Sequence, residues 1–234
     1  AAGKLIPNSL IVYDFQRFGL QFAQGLSVDR ESGDLFVLDS GAQRILQIKW
    51  GIDGNFSDAS MSTIDLSAAG EHNFRGLAID PSSGSFFVTG SEDLSLYEFS
   101  RDGNLLSVRG LSQFGVINPQ GMTFAPSGDQ TDDPAVMSLY LADAGSIETQ
   151  TSGGIVELSR REVPAMIDAA FASTPGNTID LSAITPPSPD PTGIAYLSGA
   201  NTLLITDAEV EEMVGSITQW QGVNVWELSL TGVL

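Results

Sequence analysis

One short step recurs four times in this chain: Gly25-Leu26-Ser27-Val28-Asp29, Gly76-Leu77-Ala78-Ile79-Asp80, Gly121-Met122-Thr123-Phe124 and Gly193-Ile194-Ala195-Tyr196. The glycines are 51, 45 and 72 residues apart. A repeat of this length is a supersecondary unit that cannot bury its faces alone and must stack on its neighbours. In the first copy, Gly25 to Val28 is followed by the apolar run Leu35-Phe36-Val37-Leu38. Two alternating runs come next, Arg44-Ile45-Leu46-Gln47-Ile48 and Ser62-Thr63-Ile64-Asp65-Leu66. Apolar residues at period two between turn-formers such as Ser32-Gly33-Asp34, Asp39-Ser40-Gly41 and Asp53-Gly54 predict four strands and exclude a helix.

The second copy follows the same plan through Ser85-Phe86-Phe87-Val88, Leu94 to Phe99 and Leu105 to Val108. The third carries an insertion, Ser127 to Pro134, and closes on Asn177-Thr178-Ile179-Asp180-Leu181, whose Thr-Ile-Asp-Leu repeats that of Thr63-Ile64-Asp65-Leu66-Ser67. The fourth has Gly193 to Tyr196, Thr202 to Asp207 and Val223 to Leu228, but no outer strand. The sequence therefore predicts an all-β fold, a β-propeller with four recognisable four-stranded blades in a single domain spanning 1–234. The blades fall at about 20–68, 74–112, 117–184 and 190–234, by the roughly 40–50-residue period of such units. The N-terminal run 9–15 is an outer-type strand with no blade of its own, and its expected place is the C-terminal blade, which lacks one. Two arrangements satisfy this: a closed four-blade ring, or a segment of a larger, six-bladed one.

Read as a motif, Gly33-Asp34-Leu35-Phe36-Val37-Leu38-Asp39-Ser40-Gly41-Ala42-Gln43-Arg44-Ile45-Leu46-Gln47-Ile48 resembles an NHL-type repeat. The later blades keep less of it: Thr89-Gly90-Ser91, Ala142-Asp143-Ala144-Gly145 and Thr206-Asp207 stand at the matching turn. The whole chain is similar to secreted bacterial propeller proteins in which Pro-Thr-Gly or Pro-Gln-Gly opens a blade, as Pro191-Thr192-Gly193 and Pro119-Gln120-Gly121 do. The resemblance implies architecture and an extracellular or cell-surface setting. It does not imply one activity, because propellers host binders, scaffolds and hydrolases alike.

Ten basic against twenty-nine acidic residues give a net charge of -19, which opposes attraction to nucleic acid or to anionic membrane surfaces. No run reaches the length of a membrane-spanning helix. With no cysteine, disulfides, thiolate ligands and cysteine nucleophiles are excluded. His72 is the only histidine, so a multi-histidine metal centre is closed off, and its segment reads as a solvated loop. Glycine-framed serine elbows, His-Glu-x-x-His and phosphate-cradling loops do not occur.

Acidic loops are the remaining candidates. Asp129, Asp132 and Asp133, among Gly128, Gln130 and Thr131, offer the oxygen-rich mixture a calcium ion takes up with about six to eight ligands. Asp207, Glu209, Glu211 and Glu212, followed by Met213 and Trp220, form a second acidic run with enough apolar bulk to grip a partner. Asp39, Asp143 and Asp207 stand at equivalent strand ends, where carboxylates accept backbone N–H groups of the following turn; Arg44 braces that turn. The inner strands present Ser27, Ala78, Thr123 and Ala195 at matching positions, too plain for a metal centre.

The expectation is a non-catalytic extracellular module that binds protein or glycan or builds an assembly, with calcium stiffening its loops. Two alternatives stand beside it. One is a calcium-dependent hydrolase of the lactonase or phytase kind. The other is a polymer subunit that self-associates through Leu10, Ile11, Val12, Tyr13, Asp14 and Phe15.

Overall fold

The structure, a computed structural model, describes residues 12–52, 56, 58–129, 133, 135–146, 153–161, 172–185, 187–188, 190–207 and 225–234. Blade 1 is β1 (Ala23–Val28), β2 (Leu35–Asp39), β3 (Arg44–Lys49) and β4 (Ser60–Asp65); blade 2 is β5 (Phe74–Ile79), β6 (Phe86–Gly90), β7 (Ser95–Phe99) and β8 (Leu105–Gly110). Blade 3 is β9 (Pro119–Pro126), β10 (Met137–Asp143), β11 (Gly154–Arg161) and β12 (Ala172–Asp180), and blade 4 is β13 (Pro191–Leu197), β14 (Thr202–Asp207) and β15 (Val225–Ser229). Each sheet is antiparallel and strands run outward in chain order; the fourth has three strands among the described residues. The propeller expected from the repeat is the fold observed.

The recurring glycine step is a β-bulge. In all four blades the pairing register of the inner strand with its neighbour slips there: between Ala23 and Gly25, Arg75 and Ala78, Pro119 and Met122, and Pro191 and Gly193. A bulge re-aims a strand locally, and here the bulged backbones of successive inner strands approach one another closely. A Cβ on Gly25 would stand 2.8 Å from Leu77 N, and one on Gly121 would stand 2.9 Å from Thr192 O. Gly76, at φ +57°, would drive a Cβ into the Gln120 carbonyl. Only glycine tolerates such an approach, so the step is what lets β1, β5, β9 and β13 lie side by side.

Three apolar layers fill the blade interfaces. Phe36, Leu38 and Ile45 of blade 1 pack on Leu77, Phe86, Val88 and Phe99 of blade 2. Ala78, Phe87 and Leu96 of blade 2 meet Met122, Leu139, Leu141 and Leu158 of blade 3, and Tyr140, Ala142 and Ile155 of blade 3 meet Ile194, Leu203, Ile205 and Leu228 of blade 4. Alternation puts successive residues of one strand into different layers, so every middle blade is apolar on both faces. Burying a single Phe or Leu fully contributes roughly 1.5–3 kcal/mol, and most of these side chains are fully buried.

No comparable layer joins blade 4 to blade 1 among the described residues. The free face of blade 1 is instead covered by its own N-terminal approach: Tyr13, Phe15, Phe18 and Leu20 lie on Val37, Leu46, Ile48 and Phe56. Val12 to Phe15 form no strand and lie apart from the sheet of blade 4, with Val12 82% exposed. The expected pairing of the N-terminal strand with the last blade is thus absent over these residues; Leu10 and Ile11 lie outside the described residues. The inner-strand residues show the same opening, because Leu26 is 63% exposed while its counterparts Leu77, Met122 and Ile194 are buried.

Candidate functional site

Two ends of the inner strands are built differently. At their N-terminal ends stand the repeated aspartates. Asp39 is fully buried and accepts N–H bonds from Gln21 (3.2 Å) and Phe22 (2.8 Å). Asp143 accepts from Ile117 (3.1 Å) and Asn118 (2.6 Å), and Asp207 from the Ser188 hydroxyl (2.7 Å) and Asp190 N–H (2.9 Å). Each carboxylate therefore clasps the connector arriving from the outer strand before it; Asp143 also takes an N–H of the following turn, from Gly145 at 3.3 Å. Arg44 braces this point as expected, donating to Asp39 at 3.1 Å and to the Gly19 carbonyl at 2.6 Å.

Blade 2 makes the same junction without a carboxylate on the strand. Gly90 holds the Asp39 position, pairing with Phe74 as Asp39 pairs with Ala23. A Cβ there would collide with the Asp93 carboxylate, which fills the vacated space. Asp93 accepts a short bond from the Tyr97 hydroxyl, and the His72 ring lies 3.1–3.2 Å from that hydroxyl while also facing the Ala69 carbonyl at 2.8 Å. His72 is therefore a half-buried member of a junction network, its ring packed at a tilt against Phe74 and Tyr97, and not the solvated loop residue its segment suggests. Burial, reinforced by the Asp93 bond and charge, pushes the Tyr97 phenol well above its ordinary range.

At the C-terminal ends of the inner strands, blades 1, 2 and 3 enclose a cavity of ≈ 490 Å³. Its wall includes Ser27, Asp29, Arg30, Asp80, Arg101 and Thr123. Asp29 and Asp80 are equivalent residues, each the last of a Gly-apolar-x-apolar-Asp step. Asp29 accepts the Arg101 guanidinium at 2.6 Å and Glu31 N–H at 2.9 Å. Partial burial opposes its ionisation, but the Glu31 N–H and the Arg101 contact outweigh it and hold the carboxyl below its usual range. Asp80, fully buried, accepts Ser82 N–H, Ser82 Oγ and Ser83 Oγ at 2.9, 2.7 and 2.6 Å. Arg101 also lies over Phe36 and Phe86 at 5.3 and 5.0 Å. Exposed Arg30 reaches across the open side, its guanidinium 5.3 Å from the Tyr196 ring of blade 4.

The acidic candidates fare unequally. Asp129 borders a smaller cavity of ≈ 330 Å³ with Ser127, Glu157 and Asn177, and Asp133 accepts the N–H of Ala135. Asp132 lies outside the described residues, and among the described residues no three His, Asp or Glu side chains converge to hold a metal ion. Asp207, counted with the second acidic loop from the sequence, is buried in its clasp; Glu209, Glu211, Glu212, Met213 and Trp220 lie outside the described residues. Among the described residues no helix is long and apolar enough to cross a membrane. The 490 Å³ cavity escaped the sequence reading, although the paired Asp29 and Asp80 were its visible signal.

Arrangement and repeat together define a β-propeller. Comparison with solved structures agrees on this fold. A chain of hydrazine synthase from Kuenenia stuttgartiensis matches over 97% of this chain and 50% of its own length, with a TM-score of 0.52 and 12% identity. A candidate 6-phosphogluconolactonase from Bacteroides uniformis matches over 91% and 52%, with a TM-score of 0.50 and 14% identity. A Bacteroides caccae protein of unknown function matches over 91% and 65%, again with a TM-score of 0.50 and 14% identity. This chain thus spans about half to two thirds of their length. No family model matches the sequence. No curated protein matches it either.

Proposed function

We propose that this chain is a non-catalytic extracellular binding module whose ligand, a glycan or similar polyhydroxylated molecule, sits in the cavity at the C-terminal ends of the inner strands. The observation that carries this reading is the lining: hydroxyls, guanidinium groups and carboxylates from three blades facing one ≈ 490 Å³ space. Sugar hydroxyls both donate and accept, so a wall that mixes acceptors with fixed donors satisfies them in several directions. Two of its carboxylates are committed, Asp29 to Arg101 and Asp80 to Ser82 and Ser83. Groups fixed in this way keep their orientation, which suits them to accepting hydrogen bonds from a ligand.

Titration calorimetry against a panel of neutral oligosaccharides tests the reading. Arg30 is exposed and stacks only at the mouth, so Arg30→Ala should leave the fold intact and weaken binding at least about tenfold, the loss of roughly 1.4 kcal/mol of contact. Failure of the native chain to bind any member would overturn it. The candidate 6-phosphogluconolactonase among the solved structures supplies the competing hydrolytic reading; sugar-lactone turnover by the native chain, lost in Arg30→Ala, would replace binding with catalysis.

A further inference from the structure

The recurring step builds the wall of the ≈ 490 Å³ cavity. Its third and fourth residues line the space in three blades, as Ser27 and Val28, Ala78 and Ile79, and Thr123 and Phe124. Their counterparts in blade 4 are Ala195 and Tyr196, and the guanidinium of Arg30, itself a lining group, reaches the Tyr196 ring. Tyr196 is fixed at this mouth from three directions. Its N–H donates to Thr123 Oγ1 at 3.3 Å, its hydroxyl donates to Asn201 Oδ1 at 2.7 Å, and its side chain packs beside the apolar layer between blades 3 and 4.

The two cations of the wall are engaged in different ways. Arg101 gives its charge and an N–H to Asp29 at 2.6 Å and lays its face over Phe36 and Phe86. Arg30 instead meets Tyr196 over the ring, 5.3 Å from its centroid, and forms no ion pair among the described residues. A cation over an aromatic face is held by the ring quadrupole, which supplies no acceptor oxygen for the N–H groups. The planar fork of donors on Arg30 is therefore oriented and still open to a ligand, and a carboxylate matches such a fork in charge and in geometry together. Asp29, Glu31 and Asp80 also line the wall. Against these acids a monoanion that one guanidinium neutralises is favoured over a dianionic phosphate.

We infer that the cavity takes an acidic sugar, a uronate-bearing glycan whose carboxylate pairs with Arg30 at the mouth while its hydroxyls face Ser27 and Thr123. Tyr196 is a positioning residue in this arrangement, because it holds the guanidinium over the opening from the blade 4 side. Glu31, exposed beside Arg30 on the same wall, is the charge that opposes such a ligand. The inference rests on the glycan reading of the cavity and adds to it the charge of the ligand and the residue that selects it.

Calorimetry with uronate oligosaccharides of several linkages, each beside its own methyl ester, reads the carboxylate alone, since esterification removes the charge and keeps the sugar ring. For at least one such pair the native chain should bind the acid at least about tenfold more tightly than the ester. That ratio should fall as salt is raised, because the pair stands at an exposed mouth. Arg30→Gln should erase the difference between acid and ester, and Glu31→Gln should enlarge it. Tyr196→Leu should lower the ratio and Tyr196→Phe, which keeps the ring, should hold it; thermal melts of both identify any loss of fold, and Arg30→Gln carries the test if Tyr196→Leu unfolds. Equal binding of acid and ester in every pair, or a ratio that survives Arg30→Gln, would overturn the inference and leave the glycan reading standing. Binding of neither acids nor esters would overturn both.

Discussion

Arg101 donates through Nη2 to Oδ2 of Asp29 at 2.6 Å, joining the turn after the third strand of blade 2 to the turn after the first strand of blade 1. The same guanidinium covers Phe36 and Phe86, one from each blade, so a single side chain spans the boundary through charge and through apolar contact. The cavity wall and the blade interface are therefore one construction.

Because Asp29 is held below its ordinary value of 3.8, it binds fewer protons folded than unfolded near that pH. Its contribution is fully present above the unfolded value and is lost as pH falls through the folded one. Urea melts of native protein and Asp29→Asn should therefore differ at pH 6 and converge as the pH drops below about 3.8, the ordinary carboxylate value. A constant difference across that window would show that the residue acts through shape alone.

Gly76→Ala places a Cβ against the Gln120 carbonyl at a positive φ, and backbone strain of this kind costs about 1–3 kcal/mol before any clash is counted. Gly110→Ala meets nothing within 4 Å and should stay within roughly ±0.5 kcal/mol. Comparing the two midpoints in a thermal melt checks whether the inner-strand approach, and not glycine content, sets stability.

Asp39→Ala leaves the Gln21 and Phe22 N–H groups and Arg44 Nε without their acceptor. Hydrogen bonds to a charged group are worth about 1.5–3 kcal/mol each, so a loss of at least 2 kcal/mol is expected. Ligand affinity should not change, since the clasp lies at the opposite strand ends from the cavity. A stable variant with altered binding would reverse the assignment.

Of the four tyrosines, Tyr97 and Tyr140 should ionise late. Burial raises both phenols above the ordinary value of 10; Asp93 adds to the first and Glu157 to the second. In an ultraviolet titration, Tyr97→Phe and Tyr140→Phe should each remove one late step.

The blades were legible because their information is local. Gly25 to Val28, Leu35 to Leu38 and Arg44 to Ile48 alternate at period two between turn residues, and each became a strand within a residue or two of its expected place. The glycine step was legible as punctuation but not as a bulge, since its cause is the backbone of the next blade: Gln120 for Gly76, Leu77 for Gly25. Long-range partners of this kind leave no mark on neighbouring letters. His72 was misplaced for that reason, being held by Tyr97 and Asp93 more than twenty residues downstream. The cavity was missed because Asp29 and Asp80 stand in the sequence only as the last letters of the recurring step, and the Arg101 contact across 72 residues is what ties Asp29 to the neighbouring blade.

The layers between blades bear on the order in which the chain comes apart. Blades 2 and 3 are clamped on both sides and blade 1 carries its N-terminal cover, but among the described residues blade 4 shares an apolar layer on one face only. In a stack where each unit is held by its nearest neighbours, the unit with fewest of them opens first. Unravelling of a lone chain thus starts at β13 to β15 and travels toward the N-terminus, with the Asp207 clasp as the first latch to give way.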